Sequence, residues 1–136
     1  MLWIDRVFAA KGSGTVVTGT LTGGRLATDQ NVVAGVRRTR IRSLQTAGRS
    51  VDEIGAGTCV AVNLIGVDNH ELSRGDALVA PDQWHLTDRF DASVHVLAAL
   101  DHDLTRRGAF VAYIGSGEHA VRLRVLGTET LAPGAD

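Results

Sequence analysis

An acid and a base, Asp5 and Arg6, stand side by side in the otherwise apolar run Leu2 to Phe8. Burying either ion unpaired costs on the order of several kcal/mol, so the two must sit at a strand end, at a bulge or at a site. Together they are poorly suited to a bare polyanion and well suited to a zwitterionic or polar small group attached to something larger. A second set, Arg37, Arg38, Arg40 and Arg42, has the chemistry to hold phosphate or carboxylate through bidentate bonds, or equally to form a solvated wall. Other chemistries find less support. Gly12-Ser13-Gly14-Thr15 lacks the lysine of a phosphate-binding loop and joins two extended runs, whereas such loops open a helix, so it reads as a hairpin turn. The five histidines never fall in an H-x-x-x-H pair, and Asp101-His102-Asp103 reads as a solvated loop. No G-x-S-x-G elbow occurs. Cys59 lies mid-strand, where burial as a small hydrophobe is expected. Gly115-Ser116-Gly117 with Glu118-His119 reads as a hairpin turn rather than an acid-base pair.

The elements that must position these residues are strands. Sixteen glycines against two prolines, with valine and threonine in short runs between them, indicate an all-β chain with tight turns. Leu2 to Phe8 and Thr15 to Thr22 form a hairpin about the Gly12 joint, and Gly23-Gly24 makes a second hairpin turn. Short strands follow at Asn31 to Ala34 and Arg38 to Gln45. In the latter, simple alternation turns Arg40, Arg42 and Leu44 one way and Thr39, Ile41 and Ser43 the other. A brief extended piece, Val51 to Ile54, precedes the most apolar strand, Cys59 to Ile65, and the short Ala77 to Ala80. Pro81-Asp82-Gln83 marks a boundary between a first unit, 1–81, and a second, 82–136. Beyond it Asp91 to Leu97, Ala109 to Ile114 and Ala120 to Leu126 are strand candidates. Three strands are too few for a closed barrel, and the tail Leu131 to Asp136 stops on a turn signal, so a truncated second unit with an exposed edge, open to self-association, is expected.

With 136 residues and 44% hydrophobic content the chain can bury one core or two small ones. A net charge of −1 provides no global field for nucleic acid, so any such contact must be local. The single cysteine excludes an internal disulfide and a cysteine metal framework, and suits a reducing compartment. No apolar run approaches the roughly 20 residues that span a bilayer, and the N-terminus is a charged strand rather than a signal peptide. A cytoplasmic protein without membrane contact is expected.

Several of these residues also carry a resemblance. Ile4-Asp5-Arg6-Val7-Phe8, then Lys11-Gly12-Ser13-Gly14-Thr15-Val16-Val17-Thr18-Gly19-Thr20, resemble the opening of the second domain of translational GTPases of the elongation factor Tu class. Arg40-Ile41-Arg42-Ser43-Leu44-Gln45, Gly55-Ala56-Gly57, Val60 to Leu64 and Arg74-Gly75-Asp76 follow in the order that domain shows. Within the class the pattern is most similar to the selenocysteine-specific elongation factors. The resemblance implies a six-stranded translation-protein β-barrel followed by part of a second, third-domain-like barrel. It implies that Asp5 and Arg6 line a pocket for the aminoacyl end of selenocysteinyl-tRNA, where Arg6 reads the selenolate and Asp5 accepts from the α-amino group. The family usually has a basic residue where Cys59 stands, and Arg40 or Arg42 is then the candidate to reach the same place. GTP and Mg²⁺ would belong to a GTPase domain absent from this chain, which would itself hold no cofactor and be no enzyme. The implied partners are selenocysteinyl-tRNA, that GTPase domain and the ribosome. Two alternatives are the same barrel in another translational GTPase, such as an initiation factor contacting tRNA or the ribosome, and a stand-alone β-barrel enzyme using Asp5, Glu118 or a histidine.

Overall fold

A computed structural model describes residues 1–135, whose regular secondary structure is almost entirely β-strand, with no α-helix among them. They form two compact units: Met1–His85 with Ile114–Gly117, and Leu86–Tyr113 with the residues from Glu118 on.

The first unit contains β1 (Leu2–Ala10), β2 (Gly14–Leu21), β3 (Arg25–Ala27), β4 (Asn31–Ala34), β5 (Arg37–Thr46), β6 (Arg49–Val51), β7 (Glu53–Gly55), β8 (Thr58–Leu64) and β9 (Ala77–Val79). Antiparallel pairing runs β4, β9, β1, β2, β8, β5, and β5 pairs again with β4, so six strands close into a barrel. Closure leaves none of the six with a free edge. The expected all-β barrel is therefore the fold that forms. Its interior is aliphatic, with Leu2, Ile4, Val17, Ile41, Leu44 and Val62 wholly excluded from solvent. The β1–β2 joint is a tight turn, closed by Ser13 N–H donating to Ala10 O at 2.9 Å. Gly12 and Gly14 there adopt φ of 76° and 85°, a region open to glycine at little cost.

Two β-bulges govern which side chains face outward. Along β1, Ile4 opposes Gly19 and Arg6 opposes Thr18, so Asp5 is one extra residue. In a regular strand Arg6 would follow Ile4 into the core; the bulge shifts the alternation by one, so that Asp5 and Arg6 are both exposed and Val7 again packs on the core. Along β5, Ile41 opposes Leu64 and Ser43 opposes Asn63, which makes Arg42 the extra residue. Arg40 and Arg42 share the outer face as expected, but Leu44 does not join them. The bulge turns Leu44 inward, where it is fully buried.

The turn at Gly23-Gly24 also differs from expectation. β3 pairs with β7, not with β2. The reason is topological: β1 and β8 already occupy both edges of β2.

In the second unit β10 (Leu104–Thr105) pairs with β13 (Thr130–Leu131) and β11 (Phe110–Ile114) with β12 (Gly117–Val121). The stretch Asp91 to Leu97 forms no strand; Val96 alone exchanges backbone bonds with Gly134 and Ala135, both at 2.8 Å. The strand expected over Ala120 to Leu126 ends at Val121. Exposure still alternates through Val121, Arg122, Leu123, Arg124 and Val125, so the amphipathic pattern is present without a described ladder partner beyond Val121. Glu118 and His119 lie in β12, past the turn.

Candidate functional site

The outer face of the barrel carries an open cleft of about 540 Å³. Asp5 and Arg6 of β1 enter it from the bulge, Thr18 and Gly19 of β2 and Cys59, Val60 and Ala61 of β8 line it, and Gln45 to Gly48 border it at the β5–β6 turn. Arg74 completes it. Such a volume lies in the range of small-ligand sites.

Asp5 and Arg6 are neighbours in sequence yet form no ion pair with one another among the described residues. Each is thus available to a separate group of a ligand, the carboxylate to a cation and the guanidinium to an anion.

Cys59 is exposed rather than buried, because Val60, Val62 and Leu64 take the inward positions of β8 and leave Cys59 and Ala61 facing out. Its Sγ lies 3.4 Å from Thr20 Oγ1.

Three of the residues singled out in the sequence, Asp5, Arg6 and Cys59, therefore meet in one cleft, and two do not. Arg40 lies 3.4 Å from Asp29 and lines a different depression, of about 500 Å³, with Asn31, Val32, Arg38, Thr39 and Pro81. Arg42 reaches across to donate from Nη1 to Ser13 O at 3.2 Å. Nor is the arginine row a bare cationic patch: Arg37 pairs with Glu71 at 3.3 Å and Arg38 with Asp82 at 2.6 Å. Arg74 is a cleft residue that the sequence gives only as part of the Arg74-Gly75-Asp76 match; its placement depends on backbone bonds to Ile4 of β1, some seventy positions away.

The remaining candidates stay bland. Among the described residues no group of three or more His, Cys, Asp or Glu side chains could hold a metal ion. His102 Nδ1 lies 2.6 Å from Asp101 Oδ1, and this hydrogen bond holds the Asp101 carboxyl below the usual aspartate range. No helix among these residues is long and apolar enough to cross a membrane.

Comparison with known proteins agrees with the sequence resemblance. No protein-family model matches the chain. Over 133 residues it is 35% identical to a selenocysteine-specific elongation factor of Desulfomicrobium baculatum, a match covering 96% of this chain and 21% of that protein. The chain is a homologue of part of such a factor. It spans about a fifth of the length of this selenocysteine-specific elongation factor. A crystal structure of the bacterial selenocysteine-specific elongation factor EF-Sec has the same fold, with a TM-score of 0.75 at 24% identity, over 95% of this chain and 22% of that one.

Proposed function

We propose that this chain supplies the second-domain barrel, and part of the third domain, of a selenocysteine-specific elongation factor, and that its outer cleft holds the aminoacyl end of selenocysteinyl-tRNA. The observation carrying this reading is the bulge that presents Asp5 and Arg6 together in one cleft without pairing them to each other. An aminoacyl ester of selenocysteine carries an ammonium group and, near neutral pH, a selenolate. Asp5 accepts from the ammonium and Arg6 donates to the selenolate. Serine presents a neutral hydroxyl in the same place, so a seryl ester leaves Arg6 without its counter-ion, and the difference discriminates between the two. In this reading GTP and Mg²⁺ are bound by a GTPase domain elsewhere in the parent protein, which works with the ribosome in the cytoplasm, and this chain performs no catalysis of its own.

The test is Arg6→Ala in the full-length factor carrying this chain. Losing a charge-assisted hydrogen bond should reduce the preference for selenocysteinyl- over seryl-tRNA by roughly 10- to 100-fold, measured as a ratio of dissociation constants. An unchanged ratio would refute the reading.

Self-association through the second unit is proposed on separate grounds. Its strands form two-stranded pairs, an arrangement marginal in isolation, and Leu86, Phe90, Leu97 and Leu126 are largely exposed. Sedimentation velocity on the 136-residue chain should show a dimer fraction rising with concentration; a strict monomer throughout would count against it.

A further inference from the structure

We infer that Arg74 is the second specificity-determining cation of the cleft, acting with Arg6 on the anionic side chain of the bound aminoacyl group; this deepens, and rests on, the function proposed above. The first argument is the distribution of charge partners. Arg25, Arg37, Arg38 and Arg40 each have a carboxylate within 4 Å, at Glu53, Glu71, Asp82 and Asp29. Arg6 and Arg74 have none among the described residues, and both line the cleft, whose only acid is Asp5. Among the other arginines of the first unit, Arg42 and Arg49 also lack an acidic partner, but they lie outside the cleft. With Asp5 as the one carboxylate to meet the ligand's ammonium, both guanidinium groups are left to its anionic side chain, which two cations hold more strongly than one.

The second argument is positional. Arg74 sits in the Ser73–Asp76 turn, closed by Asp76 N–H on Ser73 O at 3.2 Å and by Ser73 N–H on Asp76 Oδ2 at 2.8 Å. That turn is bonded on both sides to Ile4, the residue preceding the bulge: Ile4 N–H donates to Asp76 O at 2.8 Å and Gly75 N–H to Ile4 O at 3.0 Å. Gly75 adopts φ of 97°, which a residue with a Cβ would resist. Arg74 is therefore held in register with Asp5 and Arg6 by backbone bonds. Its Nε donates to Ser116 O at 2.9 Å, which fixes the guanidinium plane and leaves both Nη groups to a ligand.

The experiment measures dissociation constants of selenocysteinyl- and seryl-tRNA for the full-length factor carrying this chain, as wild type, Arg74→Ala, Arg74→Lys and Arg6→Ala. Arg74→Ala should lower the preference for selenocysteinyl-tRNA by about tenfold with seryl-tRNA affinity unchanged, and Arg74→Lys should restore most of it. An equal loss for both tRNAs would show that Arg74 only braces the turn, and would overturn the inference, as would an unchanged ratio. If Arg6→Ala lowers the ratio and Arg74→Ala does not, this inference fails and the proposed function stands; if neither does, both fail.

Discussion

Gly19→Ala is expected to cost the barrel much of its stability. Gly19 lies on β2 opposite Ile4, where β1 and β2 draw together beside the Asp5 bulge. A Cβ there would overlap the Trp3 carbonyl oxygen and come within 2.9 Å of Leu2 Cδ2. The first obstacle is backbone, which cannot rotate aside as a side-chain tip can. Ordinary overpacking costs about 1–3 kcal/mol, and a clash against strand backbone belongs at or above the top of that range. Against a total domain stability of roughly 5–15 kcal/mol, that is a large fraction. Thermal unfolding followed by circular dichroism should show a midpoint lowered by many degrees. A wild-type midpoint would mean that β1 and β2 lie further apart than described.

Leu44→Ala should destabilise by about 2–5 kcal/mol, the usual consequence of truncating a buried leucine. The prediction separates two arrangements of β5. If the strand alternated without interruption, Leu44 would share the outer face with Arg40 and Arg42, and its truncation would change stability by about 0.5 kcal/mol or less. With the bulge at Arg42, Leu44 is fully buried and the larger loss follows. Urea unfolding of the two proteins, compared at equal m-values, measures the difference directly.

These two positions also show what the sequence makes legible. Glycine joints and β-branched runs were enough to place the principal strands of the barrel, and a motif of some fifteen residues around Asp5 was enough to suggest its closed form. The two charges inside an apolar run were recognisable as a bulge or a site, and they are at a bulge in a cleft. What local alternation could not reveal was which residue carries the extra backbone unit. Asp5 and Arg42 each reset the pattern, and the orientation of Leu44 downstream follows from that reset rather than from its own neighbours. Cys59 faces out against expectation for a related reason: in a strand almost wholly apolar, polarity does not say which parity faces in, and Val60, Val62 and Leu64 decide it. Arg74 reaches the cleft only through the backbone bonds between its turn and Ile4, a non-local pairing that no window of neighbouring residues contains. In the second unit the periodicity of Val121 to Val125 is real in exposure, but a strand also needs a partner, and the amphipathic pattern does not provide one.

The ring of strands is unequal around its circumference. Between β5 and β1 it is joined only by β4 and β9, four and three residues long, whereas β1 and β2 run to nine and eight. Local opening begins where the fewest bonds must break, so thermal breathing will part this short seam first. The four strands that remain paired, β1, β2, β8 and β5, are those that carry the cleft apart from Arg74, and on opening they would persist as one curved sheet with Asp5 and Arg6 still on its convex side.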